Sequence, residues 1–130
     1  MPDLTAIDYN DIYCTEEAAS LQAERYAAAL NSFNEAQGGI EVQAIFSAPG
    51  RTEVGGNHTD HQHGEVLAAS INKDAIAFTA PTDDEKVNIL AEGFGMTNID
   101  LSDLELREDE KGSTPALIRG VLKEIGRAHV

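Results

Sequence analysis

The chain has 130 residues, of which 42% are hydrophobic and 25% charged, close to ordinary usage for a folded protein and enough for one domain with a modest core. Its 23 Asp and Glu residues against 9 Lys and Arg residues give a formal net charge of -14. Nucleic acids and anionic membranes attract basic surfaces, so this balance argues against either as a partner.

The amino terminus and the cysteine content indicate the compartment. Cys14 is the single cysteine, so neither an intrachain disulfide nor a cysteine-based zinc site can be built. Met1 to Thr5 has neither the basic nor the apolar region of a signal peptide, and no apolar run approaches the roughly 20 residues of a membrane span. These features predict a soluble cytoplasmic protein.

The first predicted element is a long helix over about Thr15–Gln37. Thr15 is a capping residue, and Glu16 and Glu17 follow it where the helix dipole favours anions. The pair Gly38-Gly39 predicts where the helix ends. Spacings of four and three place one apolar stripe along this helix, formed by Ala19, Ala23, Tyr26, Leu30 and Phe33.

Several strands are predicted after this helix. Alternation over residues 42–46 predicts a strand that ends at Pro49-Gly50. Apolar runs at 66–71 and 75–80 predict two buried strands, joined by a turn at residues 72–74. Further along, alternation at Val87, Ile89 and Ala91 predicts another strand, and 99–101 a short one.

The last predicted element is a helix that Thr114-Pro115 opens, with proline at the first helical position. Before it, the charged residues 107–112 predict a solvated connection. Helix, strands and helix in this order predict an α+β fold with a mainly antiparallel or mixed sheet. We expect a single domain over residues 1–130, and an incomplete one, because this helix has an apolar face with no later element to cover it: Leu117, Ile118, Val121, Leu122 and Ile125.

Polar chemistry concentrates between Ala48 and Gly64, which we interpret as one loop. Arg51 offers a planar fork of donors that suits carboxylate or phosphate oxygens. Gly55-Gly56 lets the backbone approach a ligand closely. A polyhydroxylated ligand would suit the hydrogen-bonding groups that follow, although a solvated polar loop is an equal alternative: Asn57, His58, Thr59 and Asp60.

A metal site is a second interpretation of the same loop. Imidazole and carboxylate groups are common ligands of divalent ions, and four of them fall within six positions: His58, Asp60, His61 and His63. Histidines this close in sequence rarely make a structural site without a distant ligand, so this interpretation is the weaker one.

The loop resembles the galactokinase signature of the GHMP kinase superfamily. That pattern runs Pro-Gly-Arg, Gly-Glu-His-Thr-Asp-Tyr, a glycine and Val-Leu-Pro. The matching residues here are Pro49-Gly50-Arg51, Gly56-Asn57-His58-Thr59-Asp60-His61, Gly64 and Val66-Leu67-Ala68. The segment 116–120 also resembles a helix of bacterial members. The resemblance covers most of the chain and implies an amino-terminal GHMP-kinase-like domain, which is of the ribosomal-protein-S5-domain-2-like type.

The resemblance implies a reaction and roles for the matching residues. The reaction is transfer of the γ-phosphoryl group of ATP to the C1 hydroxyl of galactose, with Mg²⁺. Arg51 matches an arginine beside the catalytic aspartate, where it stabilises charge on the transferred group in the transition state. Asn57, His58 and Asp60 match positions that hydrogen-bond the sugar, and Thr59 lies in the same run.

Two departures from the galactokinase pattern affect which sugar is expected to bind. Asn57 stands where the pattern has Glu, and His61 stands where it has Tyr. An uncharged amide both donates and accepts, so a relative of galactose is an alternative substrate.

The 130 residues also contain no counterpart of the family's phosphate loop or catalytic aspartate. We therefore expect this chain to carry the sugar-binding half only and to be inactive alone. The alternatives are a non-catalytic sugar-binding or regulatory relative and a kinase for another sugar, and the oligomeric state stays open.

Overall fold

The computed structural model describes residues 2–56 and 63–127, which fall into two compact units, Met1–Pro81 (unit 1) and Thr82–Val130 (unit 2). Each unit joins helix to an antiparallel pair of strands, so the predicted α+β class is confirmed. The single domain and its GHMP-kinase-like type stay predictions. Unit 1 contains α1 (Tyr9–Tyr13), α2 (Glu16–Gln37), β1 (Ala44–Gly55) and β2 (Leu67–Thr79), and unit 2 contains β3 (Lys86–Ala91), β4 (Gly95–Asp100) and α3 (Thr114–Arg127).

The predicted long helix is confirmed as α2. Thr15 is its N-cap, with the side-chain hydroxyl accepting a hydrogen bond from the Ala18 amide at 3.2 Å. Gly38 ends it in the left-handed conformation, at φ 59°. Ala19, Tyr26 and Leu30 of the predicted apolar stripe are buried. The ring of Tyr26 contacts Tyr9 and Phe78 edge-on, with centroids 5.3 and 6.3 Å apart, and so joins α1, α2 and β2 in one core.

The predicted end of the first strand at Pro49-Gly50 is wrong, because β1 continues to Gly55. Proline cannot donate a backbone hydrogen bond, but it is tolerated at the unpaired edge of a strand, where no neighbouring strand needs that donor. In a two-stranded sheet, each strand has one such edge. The first half of the predicted loop, residues 48–55, is therefore strand, and the connection between β1 and β2 starts at Gly56.

The two strands predicted at 66–71 and 75–80 are one strand, β2, and the turn predicted at 72–74 is wrong. Pro49 pairs with Asp74 and Arg51 with Ser70, so residues 71–73 stand opposite Gly50 alone. This bulge takes up the polar residues without ending the strand. A Cβ at Gly50 would lie 3.1 Å from the Ile71 side chain and the Lys73 carbonyl oxygen, which explains a glycine there.

Unit 2 is a β3–β4 hairpin with α3 packed against β4. The strand predicted around residues 87–91 is β3, and the short strand predicted at 99–101 is the end of β4, which begins at Gly95. Ile99 is fully buried. Ser113 caps α3 by accepting from the Ala116 amide at 3.4 Å, so Pro115 is at the second helical position, not the first. Of the predicted apolar face, Ile118 and Leu122 are half-buried, whereas the other three residues are exposed: Leu117, Val121 and Ile125.

The connection predicted to be solvated at 107–112 contains a buried interaction. Glu110, in a short 3-10 turn, accepts from Arg119 Nε at 2.9 Å, and the Arg119 side chain is 8% exposed. Arg119 also donates to the Asp103 carbonyl oxygen. The charges at 110 and 119 neutralise each other, and Glu110 thereby ties the connection to α3, while residues 107–109 and 111–112 are exposed as predicted.

Candidate functional site

The candidate site residues divide between the strand and the connection that follows it. Arg51 lies in β1 opposite Ser70, is exposed, and makes no ion pair with any residue that the structure describes. Its guanidinium is thus available to an anionic or hydroxylated ligand. The sugar-contacting positions proposed from sequence all lie outside the described residues: Asn57, His58, Thr59 and Asp60.

The base of the β1–β2 connection is tightly closed. Gly56 has φ 84°, a conformation that side chains rarely adopt. A Cβ there would lie 2.3 Å from the Glu65 carbonyl oxygen and 2.9 Å from the Val66 Cα. Only glycine allows the backbone at Gly56 to lie this close to Glu65 and Val66, so the end of β1 and the residues before β2 meet closely.

The metal hypothesis is not decided by the structure. Three of its four proposed ligands, His58, Asp60 and His61, lie outside the described residues, whereas His63 is exposed. Within residues 2–56 and 63–127, no group of three or more His, Cys, Asp or Glu side chains is placed to hold a metal ion.

Sequence reasoning missed a polar cluster beside β1, centred on Asp74. One carboxylate oxygen, Oδ2, accepts from the Tyr13 hydroxyl at 2.7 Å and from the Ser47 hydroxyl. The other, Oδ1, accepts from Arg25 at 2.6 Å, and a second Arg25 nitrogen donates to the Asp74 carbonyl oxygen at 2.9 Å. The Asp74 side chain is 5% exposed. Arg25 therefore fixes both the side chain and the backbone of Asp74.

The surroundings of this cluster shift the pKa values of its members. Burial by itself raises the pKa of Asp74, but hydrogen bonds from Ser47, Tyr13 and Arg25, with the charge of Arg25, outweigh burial and hold the pKa below its usual value. Burial, followed by hydrogen bonds with Tyr26 and Asp74, raises the pKa of Tyr13 strongly. Asp74 is therefore ionised and Tyr13 a neutral donor at neutral pH. The sequence signal was a lone acid between two apolar runs, which we interpreted as a turn.

The lowered pKa of Asp74 predicts an acid-sensitive contribution to stability. The unfolded chain takes up this proton at higher pH than the folded chain, so the contribution is present above about pH 4 and disappears as pH falls through the folded pKa. We expect Asp74→Asn to lower the free energy of unfolding by about 2 kcal/mol at neutral pH, where a charged hydrogen-bond acceptor is lost. Urea titrations of both proteins from neutral to strongly acidic pH measure the difference. A difference that stays constant over this range would contradict the assignment.

The β1–β2 hairpin lies in the part of the chain that matches a known protein family. Residues 31–81 match the family model described as the galactokinase galactose-binding signature. A galactokinase from Lactococcus lactis subsp. cremoris (strain MG1363) is 32% identical over 87 residues. The prediction of an amino-terminal galactokinase portion is confirmed by these two matches.

The two matches cover only part of the chain and a small part of the relative. The galactokinase alignment includes 65% of this chain and 22% of the relative, so the chain spans about a fifth of that relative's length. The signature model covers the end of α2, β1, the connection and β2, and stops at the boundary of unit 1. No solved structure matches significantly. No helix among residues 2–56 and 63–127 is long and apolar enough to cross a membrane, and the cytoplasmic location stays a prediction.

Proposed function

We propose that this chain is the sugar-recognising portion of a galactokinase-like sugar kinase, and that galactose or a close relative binds at the β1–β2 connection. The observation that carries the proposal is the position of the galactose-binding signature, which falls on the β1–β2 hairpin. Arg51 is exposed on β1 without an ion-pair partner among the described residues, and Gly56 closes the base of the segment next to it. Both features suit a ligand held at this end of the hairpin.

The proposed roles follow the chemistry of each side chain. Asp60 accepts hydrogen bonds from sugar hydroxyls, which are stronger when the acceptor is charged. His58 and Asn57 add donors and acceptors that fix the orientation of the ring, and Thr59 completes the run. Arg51 stabilises negative charge on the phosphoryl group as it moves to the C1 hydroxyl, so its contribution belongs to the transition state.

ATP and Mg²⁺ enter the proposal through the galactokinase resemblance alone. No residue of this chain is assigned to either. The expectation that the 130 residues are inactive by themselves stays a prediction. An assay for galactose 1-phosphate with ATP and Mg²⁺ checks it.

Substituting the two charged residues separates sugar binding from phosphoryl transfer. Asp60→Ala removes a charged acceptor, worth about 1.5–3 kcal/mol, so we expect galactose affinity to fall by a factor of about 10 to 100. Arg51→Ala removes a group that acts on the phosphoryl group, so we expect galactose affinity to change by less than about threefold. Calorimetric titration of the 130-residue chain measures both dissociation constants.

The same titration tests the alternatives. Equal losses in the two variants would show that Arg51 binds the sugar directly and would overturn its proposed role. No binding of galactose but binding of arabinose or an amino-sugar relative would favour the second candidate, a protein for another sugar. That candidate is supported by Asn57, which stands where the galactokinase pattern has Glu.

A further inference from the structure

The bulge at Gly50 divides the β1–β2 hairpin into two halves. The inner half pairs residues 44–49 with residues 74–79, and the outer half pairs residues 51–55 with residues 67–70. The outer half carries Arg51 and leads to the closed base at Gly56. Because a bulge bends and twists the strand that contains it, its placement sets the direction of everything beyond it.

Asp74 is the first residue of β2 in the inner half, directly after the bulge. Its donors come from three elements: Tyr13 at the end of α1, Arg25 on α2, and Ser47 on β1. Arg25 also holds the Asp74 backbone through its carbonyl oxygen. Both strands are therefore tied to both helices at the point where the register changes.

The contacts of Asp74 depend on the register of β2. Its side chain is 5% exposed, and it accepts hydrogen bonds from Tyr13, Ser47 and Arg25 only where the strand places it beside them. A one-residue slip of β2 would carry the Asp74 carboxylate to the opposite face and away from its three donors. The cluster thus penalises every register except the one that places residues 71–73 opposite Gly50.

From this geometry we propose that Asp74 is a positioning residue: anchored by Arg25, Tyr13 and Ser47, it fixes the bulge and thereby aims the outer half of the hairpin. Its effect on a ligand rests on the proposed function, because the outer half carries Arg51 and the base of the sugar-binding connection. Asp74 itself acts on the ligand only through the hairpin.

The test is Asp74→Asn in the 130-residue chain, with two readouts on folded protein well below its melting temperature. Arg25 is 37% exposed and remains hydrated without its partner, so the variant is expected to fold. Amide NMR shifts should change across the outer half, residues 51–55, and the galactose dissociation constant should rise about tenfold. Loss of stability alone moves neither readout.

Glu110→Gln is the matched control, since it neutralises the acid of another arginine pair, in unit 2. We expect it to leave the shifts of residues 51–55 unchanged and galactose affinity within about twofold. If Asp74→Asn does not fold, Tyr13→Phe and Ser47→Ala each remove one donor and keep the ion pair, and should produce smaller shifts in the same residues.

Each outcome has a defined meaning. The positioning role would be overturned if amide chemical shifts changed only at the residues that contact Asp74. This holds for Asp74→Asn and, where that variant does not fold, for both Tyr13→Phe and Ser47→Ala. Shifts across residues 51–55 with unchanged galactose affinity would overturn its consequence for the sugar. If the unsubstituted chain binds no galactose, the proposed function fails, and the NMR readout still decides whether Asp74 aims the outer half.

Discussion

Gly56→Ala is expected to lower the free energy of unfolding by about 3 kcal/mol, because the substitution combines two penalties. The backbone conformation at φ 84° is strained for any residue with a Cβ. In addition, that Cβ would lie 2.3 Å from the Glu65 carbonyl oxygen, a backbone atom that cannot move aside without opening the connection. Urea unfolding monitored by circular dichroism measures the loss, and calorimetry shows whether galactose binding is lost with it.

Gly93→Ala is the matched control for this prediction. Gly93 has a similar φ of 79°, but a Cβ there meets no atom within 4 Å. Its cost is therefore conformational strain alone, about 1 kcal/mol. If the two variants lose equal stability, the closed base at Gly56 contributes nothing beyond its backbone angle, and the reasoning about loop closure is wrong.

The sequence was sufficient to predict the structure wherever short-range rules decide it. The cap at Thr15, the stop at Gly38 and the apolar stripe of α2 each depend on residues within one or two turns of each other. The alternation of β3 is equally local. Such features could be read from spacing alone, because no distant partner changes their outcome.

Long-range pairing explains what the sequence could not predict. Pro49-Gly50 has the composition of a strand end, yet β1 passes through it because β2 supplies three residues opposite Gly50. Asp74 has the composition of a turn residue, yet Arg25 and Tyr13 satisfy its charge. The partners lie 49 and 61 residues away, and nothing in a single sequence pairs them.

The sequence predicted where the candidate site lies, and the structure explains some of its residues. The sequence predicted a galactokinase signature at residues 48–70, and the galactokinase signature model matches residues 31–81 around it. The structure adds the reason for two of its glycines: Gly50 makes room for a bulge, and Gly56 lets two backbone segments meet. The roles of Asn57, His58, Thr59 and Asp60 stay predictions, as they lie outside the described residues.

Arg119 illustrates how a charged residue can serve as the core of a small unit. It lies on α3, and its side chain is only 8% exposed. Nε donates to Glu110 at 2.9 Å, and another nitrogen donates to the Asp103 carbonyl oxygen. One planar guanidinium thus joins α3 to two points of the connection that precedes it, a geometry that lysine cannot reproduce.

We therefore expect Arg119→Ala to destabilise unit 2 by about 3 kcal/mol, since it leaves a half-buried carboxylate and a carbonyl oxygen without their donor. Arg107→Ala is the control: Arg107 pairs with the same two residues, Asp103 and Glu110, but is 43% exposed. Exposed pairs contribute about 0–1 kcal/mol, so its loss should be small. Hydrogen exchange of the α3 amides measures both effects. Equal protection in the two variants would show that burial of Arg119 contributes no stability, and α3 would then depend on its apolar contacts alone.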